Sequence, residues 1–319
     1  MLIIQDLHKS YGKVKALDGL NLEINKGEFF GFVGPNGSGK TTTMKVISGL
    51  LSADSGSVTL DGIDALREPE ALKRRIGYMP DFFGVYDNLK VKEYMMFYAS
   101  IYGIDGKAAK KTSMELLDLV DLIGKEDAYV DSLSRGMKQR LCLARTLIHD
   151  PKFIILDEPA SGLDPRARFE MKIILKEIKD RGKTILISSH ILPEIAEMCT
   201  NLGIIESGRI VVSGTVDEIL TAKGAFAPVR IKVLGDREPA LKVLKNNYLV
   251  QSISIKGNEI TVLFNGNDEK VADLLGDLVT AGVKLVSFSR QAGNLESLFM
   301  NITQKLDIEE DEWTINGEA

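Results

Sequence analysis

The chain has 319 residues, enough for one large domain and a small one, or for two of middling size. Hydrophobic residues make up 44% and charged residues 27%, the composition of an ordinary globular protein rather than a disordered or fibrous one. The 40 basic and 45 acidic side chains leave a net charge of -5, the wrong sign for a protein that coats nucleic acid, so no nucleic-acid partner is expected.

Met1 to Tyr11 lacks a basic segment followed by an apolar run, so it is not read as a signal peptide. No stretch approaches the ~20 apolar residues that span a bilayer, and any link to a membrane is expected to come through a partner. His8 is predicted to sit in a turn. Phe29 to Val33 is short, bulky and bounded by polar residues, which predicts a buried, parallel strand. After it comes Gly34-Pro35-Asn36-Gly37-Ser38-Gly39-Lys40-Thr41, and then a helical stretch, Thr42 to Leu50. This strand–loop–helix context is what a phosphate-binding loop requires. Glycines let the backbone turn several N–H groups toward an anion, and the helix adds the positive end of its dipole. Lys40 reaches the β and γ phosphates as a point charge, and the Thr41 hydroxyl is a ligand for Mg²⁺, which prefers oxygen.

Seven aromatic residues fall between positions 82 and 102: Phe82, Phe83, Tyr86, Tyr94, Phe97, Tyr98 and Tyr102. Some must fill a helical core, and others suit a protein interface. Ser134 reads as an N-cap for a helix that carries Met137, Leu141, Ala144 and Ile148 on one face. Cys142 lies among apolar neighbours. It and Cys199 lack metal or redox spacing, and both fit a reducing compartment. His149, before Asp150-Pro151, reads as structural or exposed. Phe153 to Leu156 predicts a second parallel strand, ending in Asp157-Glu158. Such a strand delivers its last side chains to the ligand crevice. Asp157 then suits a hydrated Mg²⁺, and Glu158 suits polarising a water for in-line attack; taken alone, two acids here read equally well as caps of the next helix. Thr184 to Ser188 predicts a third strand, which carries His190 to the same edge, within reach of a γ phosphate.

The pattern breaks at Gly224 to Pro228. Strand, helix, two strands, helix and strand follow over Val229–Leu234, Glu238–Lys245, Leu249–Ile255, Glu259–Phe264, Glu269–Ala281 and Val283–Ser289, a ferredoxin-like order. The expected organisation is an α/β nucleotide-binding domain over 1–220, a small α+β domain over 228–303 and an acidic, solvated tail over 304–319.

Leu133-Ser134-Arg135-Gly136-Met137 resembles the signature motif of the ABC ATPase family at Leu133, Ser134 and Gly136. Other family motifs occur in the family's order. Tyr11 matches the aromatic that stacks on adenine. Gly34 to Thr41, with Thr42 after it, matches Walker A, and Phe153 to Glu158 matches Walker B. Ser161-Gly162-Leu163-Asp164 matches the D-loop, and His190 the switch histidine. The resemblance covers residues 1 to 220 and implies a P-loop NTPase of ABC type, with antiparallel β and helical subdomains. It implies an ATP- and Mg²⁺-dependent ATPase at the cytoplasmic face of the membrane, energising integral membrane subunits. Two cassettes, copies or sister chains, would meet head to tail, with Ser134 and Gly136 contacting ATP held by the opposite one. The family usually carries Gln where this chain has Asp81; Asp81 offers a charged oxygen to Mg²⁺ but, when ionised, no hydrogen-bond donor. The family's membrane subunit inserts a short helix near the aromatic cluster. The C-terminal domain, ending in Asn294 to Phe299, resembles the accessory domain of ABC-2-type exporter ATPases. The competing readings are a soluble ABC ATPase acting in translation or DNA repair, and an ATP-binding switch that does not hydrolyse.

Overall fold

The computed structural model describes residues 1–82, 84, 88–190, 192–221 and 228–290. Phe83 and Tyr86 of the aromatic cluster, the acidic tail and the Asn294–Phe299 segment lie outside the described residues. The chain divides into two compact units, Met1–Gly214 and Thr215–Ala319.

The first unit opens with two long strands, β1 (Leu2–Tyr11) and β2 (Val14–Ile24). They pair antiparallel, with register shifts around Leu7 and His8. His8 therefore lies inside a bulged strand rather than in a turn, and its Nε2 is 3.0 Å from Asp6 Oδ1. β3 (Phe29–Val33) is buried throughout and leads into α1 (Lys40–Ile47). β4 (Ser55–Leu60) and β5 (Ile63–Asp64) complete a four-stranded sheet in the order β2-β1-β4-β5. After α2 (Pro69–Lys73) comes β6 (Ile76–Met79).

A helical region follows, with α3 (Val91–Ile101), α4 (Gly106–Leu119) and α5 (Arg135–Thr146). Ser134 caps α5 by accepting from the Met137 N–H at 3.3 Å. β7 (Phe153–Leu156), α6 (Pro165–Asp180), β8 (Thr184–Ser189), α7 (Leu192–Met198), β9 (Asn201–Glu206) and β10 (Arg209–Thr215) complete the run. The second sheet has the order β10-β9-β3-β8-β7-β6, and β9, β3, β8, β7 and β6 pair in parallel.

Strand alternation separates two layers of core. Phe30, Phe32, Phe153 and Ile155 join Met44 and Ile47 of α1 and the apolar face of β1 and β2 in one buried cluster. Each such side chain contributes ~1.5–3 kcal/mol on burial. Ile154 and Leu156, equally buried, therefore point to the sheet's other face. Both cysteines are buried and free.

In the second unit, α8 (Val216–Thr221) precedes β11 (Pro228–Val233), α9 (Glu238–Asn246), β12 (Val250–Lys256), β13 (Glu259–Phe264), α10 (Asp268–Thr280) and β14 (Leu285–Arg290). From β11 onward the order is βαββαβ, and the sheet runs β12-β13-β11-β14. Val229, Ile231, Ile260 and Val262 pack against Leu244, Leu274 and Leu278 of its two helices, a core separate from the first unit's.

Candidate functional site

Four parallel strands end at one edge of the six-stranded sheet, because their registers align. Val33 lies beside Ser189, Leu156 beside Ile187, and Met79 beside Leu156. Gly34, His190 and Asp157 follow three of these ends and Asp81 lies two residues past the fourth, so four sequence candidates from distant parts of the chain share one edge.

The loop after β3 is shaped for an anion. Gly39 adopts φ +109°, open to glycine, and a Cβ there would stand 2.5 Å from the Ala16 carbonyl of β2. Gly39 is also the N-cap of α1. It offers no side-chain acceptor, and no acid lies in the first turn, so the helix's free N–H groups remain for a ligand. Pro35 is half-buried, Asn36, Gly37 and Thr41 are exposed, Thr42 is half-buried, and Ser38 is buried. Lys40 is 6% exposed, and its Nζ donates to the carbonyls of Gly34 at 2.6 Å and Pro35 at 3.1 Å. Burial lowers its ammonium pKa, while Glu158 and Asp157 act in the opposite direction. Tyr11 ends β1 on the hairpin whose second strand carries Ala16, and its ring is half exposed.

The two acids after β7 are held by a residue that the sequence did not single out. Ser188, in β8, donates its hydroxyl to Asp157 Oδ1 at 2.7 Å and accepts the Glu158 N–H at 2.9 Å. Asp157 is 1% exposed, and its Oδ2 is buried without a hydrogen-bond partner. A buried carboxylate oxygen without a donor is costly unless a cation or water meets it. Glu158 adopts φ +50°, a left-handed conformation that non-glycine residues rarely hold without a functional constraint. Its Oε2 lies 2.9 Å from His190 Nδ1, which carries the proton in this contact because the carboxylate can only accept. A serine at a strand end has no spacing signature. Its only trace in the sequence is a hydroxyl closing an apolar run just before the candidate histidine.

Asp81 is exposed just beyond β6. Desolvation and the Asp157 carboxylate push its carboxyl above the usual range, while Arg135 and His190 pull it down. Ser134 and Gly136 start α5, and Gly136 lies against Leu163 of the loop after Glu158 and Ala167 of α6. A Cβ on Gly136 would stand 3.0 Å from Ala167 Cβ. The structure thus gathers the loop, Asp81, Asp157, Glu158 and His190 at one edge, and leaves Ser134 and Gly136 on a separate element.

A family profile for ABC transporters matches residues 17–161. The linearmycin resistance ATP-binding protein LnrL of Bacillus subtilis is 32% identical over 95% of this chain and 98% of its own length. The chain belongs to the ABC transporter ATP-binding proteins. The Nod factor export ATP-binding protein I of Ralstonia nicotianae is also 32% identical, over 95% of this chain and 94% of its own. Among solved structures, the dimeric, post-hydrolysis ATP-binding cassette MJ0796, bound to ADP and Pi, aligns with a TM-score of 0.63 and 25% identity. That match covers 68% of this chain and 99% of the cassette. As an ABC ATPase the chain binds and hydrolyses nucleotide. Among the described residues, no helix is long and apolar enough to cross a membrane.

Proposed function

We propose that this chain is the energising ATPase of a membrane exporter, bound peripherally at the cytoplasmic face. The relatives' roles, resistance to linearmycin and export of Nod factor, support the outward direction. The observation that carries the hydrolytic reading is the pair Asp157–Glu158, both fixed by Ser188, with the Glu158 carboxylate on His190.

In this reading Tyr11 stacks on adenine, and Gly34 to Thr42 wrap the phosphates. Lys40 exchanges its two carbonyl partners for β and γ oxygens. The buried, unpartnered Asp157 Oδ2 fits a divalent cation, and Thr41 Oγ1 and Asp81 complete the protein's share of an oxygen donor set. Such an ion supplies charge neutralisation at the phosphate oxygens. Glu158 accepts the proton of the attacking water, and its strained backbone keeps the carboxylate on the His190 side. His190 donates Nδ1–H to Glu158 and, with both ring nitrogens protonated, donates Nε2–H to the γ phosphate. Ser134 and Gly136 serve the ATP of a second cassette.

We assign the first unit, Met1–Gly214, to the ATPase, and the βαββαβ stretch that begins at Pro228 to a ferredoxin-like accessory domain of the exporter class. A groove of about 1070 Å³ between α2, β6 and the end of α3 is lined by Lys73, Tyr78, Ile101, Tyr102 and His149. The rings of Tyr102 and His149 stack at 3.9 Å on its wall. This groove is the assigned seat for the membrane subunit's short helix.

The deciding experiment is Glu158→Gln, which keeps the shape and removes the base. Turnover should fall by about 10²–10⁴ while ATP-bound dimers accumulate in gel filtration. A variant that hydrolyses ATP at the parental rate would remove Glu158 from its role.

A further inference from the structure

The loop that follows Glu158 is fastened to the first turn of α5 at a single carbonyl. Ser161 O accepts from Arg135 Nη2 at 3.2 Å and from Gln139 Nε2 at 3.3 Å. Arg135 and Gln139 are four residues apart and so share one helix face. The next residue in the loop, Gly162, lies directly under the guanidinium. A Cβ there would stand 2.5 Å from Arg135 Cζ, 2.5 Å from Nη2 and 2.6 Å from Nη1. A methyl group there would have to push the guanidinium off this turn, and Gly162 also holds φ +66°.

We propose that Arg135 is a positioning residue that latches the Ser161–Gly162 turn to the start of α5, so that the hydrolytic loop of one cassette and the helix it offers to the other cassette move as one piece. The assignment rests on the ATP-sandwich reading above. Arg135 sits between Ser134 and Gly136, the residues assigned to the second subunit's ATP. Its planar fork suits a carbonyl while stacking on the flat, side-chain-free surface of Gly162. It touches neither the phosphate loop nor Glu158, so it acts on turnover through the loop it holds.

The test is a double-mutant cycle on the full chain, using Arg135→Ala, Gly162→Ala and the pair, read as ATPase kcat, KM and thermal midpoint. Losing a hydrogen bond from a charged donor is worth on the order of tenfold, so Arg135→Ala should lower kcat by that factor with KM within about twofold. Arg135→Lys, which keeps the charge without the fork, should recover only part of the loss. Gly162→Ala should be more harmful in the parental chain than beside Ala at 135, because the methyl group then meets space where the guanidinium lay. Three results would overturn the latch: parental turnover in Arg135→Ala, a loss of nucleotide affinity equal to the loss of turnover, or a Gly162→Ala effect identical in both backgrounds. If the parental chain hydrolysed no ATP, the functional reading would fail, and the cycle in thermal midpoint would still decide the latch.

Discussion

Asp81 shows how one side chain sets its own pH dependence. Its folded carboxyl titrates above the unfolded value of 3.8, chiefly through desolvation and then through Asp157. The native state therefore binds the proton more tightly than the unfolded chain in the window just above 3.8. Stability from this residue is greatest when it is protonated and is lost as pH rises through that window. Replacing Asp81 with Gln removes the charge that Asp157 opposes. The variant should melt at a higher temperature at neutral pH, with the difference closing as pH falls below the carboxyl's titration. Nucleotide affinity should hold, since Lys40 and the loop N–H groups are untouched; its collapse, or a lower melting temperature at pH 7, would sink this account. The members of this candidate site were legible in the sequence because glycine, lysine and acid spacings are themselves the chemistry. The Ser188 contacts and the Arg135 latch were not, because each depends on which residues two distant segments bring face to face.

At the scale of elements, β7 and β8 act as a unit through Ser188. Its hydroxyl bridges Asp157 Oδ1 and the Glu158 N–H, so it fixes a carboxylate and a strained backbone from the neighbouring strand at once. Ser188→Ala leaves two buried polar groups short of a partner, which costs ~1–3 kcal/mol each. The expected outcome is a lower melting temperature together with a turnover loss of at least tenfold, measured as kcat at saturating nucleotide. A variant with parental kcat would show that the two acids hold their places without the serine. The strands themselves were easy to read: Phe29–Val33 and Phe153–Leu156 are unbroken apolar runs of strand length, and both occur where expected. His8 was misread because the bulges around Leu7 and His8 break the alternation that marks a half-buried strand. The Thr42–Leu50 helix begins earlier, at Lys40, because the phosphate loop itself supplies the N-terminus.

For the whole molecule, the two units have separate cores, one around Phe30, Phe153 and Met44 and one around Ile231, Ile260 and Leu274. Their internal architecture followed from periodicity in each stretch, whereas the assignment of a partner and a direction of transport needed relatives. Both cysteines lie in the first unit and are buried. Burial pushes the Cys142 thiol up to about 11 and raises that of Cys199 as well. Neither sulfur is therefore reactive while the unit is closed. A thiol-specific reagent becomes a clock for the opening of the nucleotide-binding unit alone, with no engineered probe and no signal from the second unit. Nucleotide at about 100 times its dissociation constant adds ~2.7 kcal/mol to the closed state, so labelling in the opening-limited equilibrium regime should slow by about 100-fold. Rapid modification of the native protein, indifferent to nucleotide, would contradict it. The same two sulfurs thus turn an inert pair of core residues into a direct gauge of how tightly ligand binding is wired to the folding of its own domain.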